Sequence, residues 1–163
     1  MKKIMSFLLI VMLTACGNNE RTYDIGKDTV CAFGDGTYQI MHGYRDDEAV
    51  ETLYNCKHDR CVIDKIDAYM QQNHYVYLIG EIETTIVYYG DLNTEKEYGN
   101  SNTEKVYAKL NTENNLLLYY TENLGDFNLR WFERVIEDQQ IKLLSVYDEY
   151  SEDDQKIFEN MMD

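Results

Sequence analysis

Residues 66–82 read IDAYMQQNHYVYLIGEI, and two apolar and aromatic runs, Ile66–Met70 and Tyr75–Ile82, flank Gln71, Gln72, Asn73 and His74. Branched and aromatic side chains suit a pleated, half-buried surface, and a short polar break between two such runs marks a hairpin. The same pattern extends in both directions. Upstream, Val30–Phe33 and Thr37–Met41 flank Gly34-Asp35-Gly36, where glycine supplies the positive φ of a tight turn. Downstream, Thr85–Leu92, Lys105–Leu110 and Leu116–Thr121 continue the series. The pattern predicts an α+β fold, an antiparallel β-meander of about six to eight strands with one or two C-terminal helices packed on or beside it.

An internal regularity runs through the middle of the chain. Asn-Thr-Glu occurs at 93–95, 102–104 and 111–113, and Tyr98 and Tyr107 keep the same nine-residue step. Asn and Thr side chains bond to nearby backbone, so the triplets are expected to mark successive turns between short strands. A nonapeptide calcium repeat needs glycine and aspartate at fixed places, which these copies lack.

The C-terminal third changes period. Phe127, Leu129, Trp131, Phe132, Val135 and Ile136 fall at mixed three and four spacings, which predicts an amphipathic helix over 126–138. Ile141–Tyr147 reads as extended. Ser151 with Asp154 three residues on forms a capping box, and Glu152, Asp153 and Asp154 suit the positive end of a helix running to about Met162. The spacing of Ala49, Val50, Leu53 and Tyr54 tilts the ambiguous stretch 46–54 toward helix.

At the N-terminus, Lys2 and Lys3 precede an apolar run, Ile4–Leu13, that only Ser6 interrupts. This is the layout of a secretory signal, and it is half the roughly 20 residues needed to cross a bilayer. The run ends Leu13-Thr14-Ala15-Cys16, which resembles the lipobox of bacterial lipoproteins. The resemblance covers residues 1–16 only and implies cleavage after Ala15 and a diacylglyceryl group on the Cys16 sulfur. Two or three acyl chains hold a protein on a membrane essentially permanently. The aspartate that retains such lipoproteins at the inner membrane is replaced by Gly17. The resemblance therefore implies the outer membrane in a host with two membranes, otherwise the outer face of the cell membrane, and in both cases a site outside the cytoplasm.

These readings divide the chain into a signal peptide (1–15), a lipidated flexible tether (16–28) and a single globular domain (29–163). A chain of this size buries roughly 68–70% of its unfolded surface, so its stability requires no cofactor or staple. Without the signal, thirteen basic residues face thirty acidic ones, a formal charge of −17. Such a surface is repelled by nucleic acid and anionic headgroups, and any charge-steered partner should be basic.

Apart from Cys16 the cysteines are Cys31, Cys56 and Cys61. Beyond the membrane Cys56 and Cys61 are candidates for a short disulfide, with Cys31 able to replace either. Free thiols remain open, as does a metal site using Cys56, His58 and Cys61. Zinc sites, however, normally take a second ligand pair that this sequence lacks.

No catalytic residue and no cofactor is predicted. His42, His58 and His74 fall at predicted turns or strand ends, and no nucleophile elbow, phosphate loop or zinc-protease helix is present. Carboxylate runs such as Asp46-Asp47-Glu48 and Glu152-Asp153-Asp154 arise unprompted among thirty acidic residues, and neither has the ligand spacing of a calcium loop. Tyrosine is in excess at fifteen, with doublets Tyr88-Tyr89 and Tyr119-Tyr120. Strand alternation should turn one of each pair to the core and the other to solvent.

Two functional readings follow. In the first, the acidic domain binds a basic protein, as envelope-anchored inhibitors and immunity proteins do, with exposed tyrosines as contact residues. In the second it is a structural or accessory envelope lipoprotein, or holds a small ligand in its sheet.

Overall fold

The computed structural model describes residues 23–45, 47–88, 97–125, 128–129, 132 and 140–163, without the side chains of 45, 85–88 and 97–101. Residues 1–22, which include the predicted signal segment and Cys16, lie outside it. Among the described residues, nine strands form two sheets, which extends the predicted meander by a strand and divides it. The first sheet holds β1 (Thr29–Phe33), β2 (Tyr38–Arg45), β3 (Glu48–Asn55) and β4 (Arg60–Ile63) in that order. The second holds β5 (Lys65–Gln72), β6 (Tyr75–Tyr88), β7 (Glu97–Asn111), β8 (Leu116–Thr121) and β9 (Ile141–Leu143). Neighbours are antiparallel except β8 and β9, which run parallel. One helix, α1 (Glu152–Met162), closes the chain.

Both predicted hairpins are present. Asn73 turns the β5–β6 hairpin at φ 56°, a left-handed conformation that asparagine tolerates through local bonding of its side chain. Gly34 turns β1 into β2 at φ 55°, and a Cβ there would lie 2.3 Å from the Thr112 carbonyl oxygen. Glycine at this position therefore permits both the turn and its seating on the β7–β8 turn.

Several local expectations are corrected. Residues 48–55 form β3 rather than a helix, because β2 pairs with all eight of them and alternation points Leu53 and Asn55 inward. The runs 75–82 and 85–92 are one strand as far as Tyr88, and Lys105–Leu110 lies inside β7. Asn102-Thr103-Glu104 is mid-strand, since β6 is long enough to pair with it; Thr84 Oγ1 also donates to the Asn102 carbonyl at 3.1 Å. The triplet at 111–113 leads into the β7–β8 turn as expected, and 93–95 lies outside the described residues. Most of the helix predicted over 126–138 also lies outside them. Residues 141–143 form β9, but a single 3-10 turn, Tyr147–Glu149, ends the extended stretch.

The N-terminal boundary also moves. Tyr23 N–H donates to the Asp35 carbonyl, and Gln39 Nε2 donates to the Asp24 carbonyl at 3.0 Å. His42 N–H donates to the Asp28 carbonyl at 2.8 Å. Residues 23–28, which composition assigns to the tether, are thus bonded onto the first sheet.

The main core lies between the sheets, where Tyr38, Ile40, Leu53 and Val62 of the first meet Val76, Leu78, Leu110 and Tyr119 of the second. The chain passes between sheets at Asp64, whose N–H donates to the Glu81 carbonyl at 2.9 Å. That crossing needs Gly80, where a Cβ would lie 2.2 Å from the Lys65 carbonyl oxygen.

A second core covers the other face of the second sheet. Tyr77 and Ile79, alternate to Val76 and Leu78, pack with Leu144, Tyr150 and Phe158. Tyr107, Tyr147 and Tyr150 each meet the Phe158 ring or one another at centroid distances of 4.8–6.2 Å. Such aromatic pairs contribute about 0.5–1.5 kcal/mol each beyond area burial. Much of the tyrosine excess is therefore accounted for by the seating of α1. Tyr119 faces the main core as expected, but Tyr120 packs against this second cluster instead of facing water. Tyr89 lies outside the described residues.

Candidate functional site

The outer face of the first sheet, opposite the core, carries a groove of about 670 Å³. Register determines its floor. Met41 pairs with Thr52 and Tyr54 with Cys61, while Gly43 and Tyr54 follow two residues along their strands, so these five residues share one face. Gly43 leaves that part of the floor without a side chain. His42 and Tyr44 continue the lining along β2, and Asp59, Asp64 and Glu83 stand around it.

Each acidic group is placed by a different element. Asp59 sits in the β3–β4 turn at φ 51°, and its carboxylate accepts the Tyr54 hydroxyl at 2.5 Å. Asn55, buried at the base of that turn, accepts the His58 N–H at 3.1 Å, while Cys56 N–H donates to the Thr37 carbonyl. Asp64 stands where the chain changes sheets and accepts the Glu83 N–H at 2.6 Å. Asn128 Nδ2 donates to the Glu83 carbonyl and Arg60 donates to Asn128 Oδ1, which ties the β6 wall of the groove to β4. Among the described lining residues there are three carboxylates and no lysine or arginine.

The electrostatics follow from these contacts. The hydrogen bond to Asp59, with burial and the charge of Asp59, pushes the Tyr54 pKa up to about 12. Burial, then the charge and hydrogen bond of Asp64, pushes the Cys61 thiol up to about 12, and its Sγ donates to the Ile63 carbonyl at 3.1 Å. Burial, followed by the charge of Asp59, raises the Cys56 thiol. A nucleophilic cysteine needs the thiolate, and burial beside these carboxylates disfavours it.

Cys56 and Cys61 lie on one hairpin and are both half-buried thiols, with Cys61 opposite Tyr54 and Cys56 one residue beyond Asn55. Cys31 is a half-buried thiol packed on the main core. His42 lies within β2 instead of at its end, His58 in the β3–β4 turn, and His74 in the β5–β6 turn against the Tyr75 ring at 4.1 Å. The three histidines are on different elements. Glu152 and Asp153 stand in the first turn of α1, away from the groove.

Sequence reading missed the groove itself. Asp59, Asp64 and Glu83 span 25 residues and three structural contexts, and no local pattern links them. The prominent exposed tyrosine is Tyr44, 82% accessible and outside either doublet. No protein-family model, curated protein or solved structure matches the chain.

Proposed function

We propose that the chain is a lipoprotein of the cell envelope, held outside the cytoplasm by lipid on Cys16, whose acidic β domain binds a basic protein as an inhibitor or immunity protein does. The observation that carries this reading is the groove, lined by Tyr44 and Tyr54 and by Asp59, Asp64 and Glu83, on a strongly acidic chain. Opposite charge steers encounter and selects the partner, while a tyrosine-bearing concavity supplies the contact area. No covalent step enters the reading, consistent with the raised pKa of the groove thiol.

The anchor complements this role. Tyr23 is bonded to the domain, and the seven residue steps from Cys16 to Tyr23 span at most about 25 Å. A domain held so close to the membrane meets whatever arrives at that surface.

Two experiments test the reading. Labelled palmitate should be incorporated into the wild-type chain and not into Cys16→Ser. A strain lacking the gene should become sensitive to a cationic protein secreted by neighbouring cells, and the wild-type gene should restore resistance. Undiminished resistance in the deletion strain, with binding of cationic proteins no tighter than that of neutral ones, would overturn it.

A further inference from the structure

We infer that the groove receives an arginine side chain, presented on an extended segment of the basic partner. This rests on the proposed binding role and identifies the group that the site recognises. The floor offers the Tyr54 ring, and the Tyr54 hydroxyl is fixed by Asp59. A guanidinium is planar and weakly hydrated, so it stacks on an aromatic face while its donors reach carboxylates; an ammonium is a strongly hydrated point charge without that geometry.

The rim retains acceptor capacity. An ionised carboxylate has about four lone-pair sites. Asp59 uses one for the Tyr54 hydroxyl, and Asp64 uses one for the Glu83 N–H. Charge complementarity therefore selects a cationic occupant over an apolar one. Gly43 lowers the floor beside Thr52, and the open groove of about 670 Å³ has room for a long side chain.

The test uses the full mature chain with Cys16→Ser, titrated with acetyl-Gly-Arg-Gly-amide and its lysine and citrulline counterparts while backbone amide shifts are followed. The arginine peptide should shift Gly43, Thr52, Tyr54 and Asp64, and should bind about tenfold tighter than the lysine peptide, with no saturable response to citrulline. Asp59→Asn and Asp64→Asn should each weaken it about tenfold, as expected for loss of one charged hydrogen-bond acceptor. Asp64 also caps the Glu83 N–H, so Thr52→Arg provides an independent variant: its own guanidinium should fill the groove and abolish binding in a chain that melts normally. Equal affinity for arginine and lysine peptides, or shifts centred elsewhere, would overturn the inference. A cationic protein that binds Thr52→Arg as tightly as wild type would refute the groove and leave the binding role standing; groove binding of arginine in a protein that protects no cell would do the reverse.

Discussion

Lys109 Nζ lies 2.6 Å from Asp154 Oδ1, a largely buried ion pair that joins the second sheet to the first turn of α1. The Tyr77 hydroxyl donates to the same carboxylate oxygen at 2.7 Å, and the ammonium lies 4.3 Å from the Tyr75 ring centroid. Ser151 caps the helix by accepting the Asp154 N–H at 3.2 Å. The third helical residue therefore uses its carboxylate to dock the helix on the second sheet.

Removing one member of this pair leaves the other charge buried. Asp154→Ala should destabilise the domain by about 3 kcal/mol in urea unfolding, and Lys109→Met/Asp154→Leu should cost less than the single change. Equal costs for the two would show that packing, rather than charge, dominates.

The same carboxylate gives an acid signature. Burial opposes its charge, but hydrogen bonds from Lys109, Tyr77 and Ser151 outweigh this and hold its pKa below the ordinary value. A depressed folded pKa means stabilisation that is fully present above the unfolded value of about 3.9 and is lost as pH falls through the folded one. Wild type should lose stability below about pH 4 more steeply than Asp154→Asn, as measured by urea midpoints across pH 2–6.

Alkali tests the buried tyrosines. Burial raises the pKa of Tyr38, Tyr119 and Tyr150 well above the usual value of about 10. Their contribution is complete below about pH 10 and declines as pH rises toward the folded values. Phenolate absorbance from these three should appear only with unfolding, and smooth ionisation in a chain that keeps its circular dichroism would contradict the placement.

The sheet crossing makes a steric prediction. Gly80→Ala would place a Cβ 2.2 Å from the Lys65 carbonyl oxygen and 2.6 Å from Ile63 Cγ2. The strands must move apart, and the loss should be about 1–3 kcal/mol or more. An unchanged melting temperature would show that β5 does not approach β6 so closely.

The sequence reveals strands where a two-residue period meets a turn residue, as at Asn73 and Gly34, and reveals α1 through Ser151 and its acidic first turn. It misleads at Ala49, Val50, Leu53 and Tyr54, whose spacing fits a helix until β2 supplies eight paired partners. It also misleads at Asn102, which becomes mid-strand only because β6 runs past it. Tyr120 is read as exposed because alternation along one strand contains no information about the helix that covers that face. Cys56–Cys61 is prominent in the sequence, but the groove beside it is assembled by pairing across Met41, Thr52 and Cys61 and by Glu83 from another sheet.

The claim that this groove binds a basic protein at the membrane is tested most directly by a benzophenone amino acid placed at the exposed Tyr44 on the groove edge in the full chain, in its native envelope. Irradiation should yield an adduct with a cationic protein that weakens with added salt and disappears in Asp59→Asn/Asp64→Asn. An adduct of equal yield from the exposed Lys142 position, or one from Tyr44 unaffected by both substitutions, would contradict it.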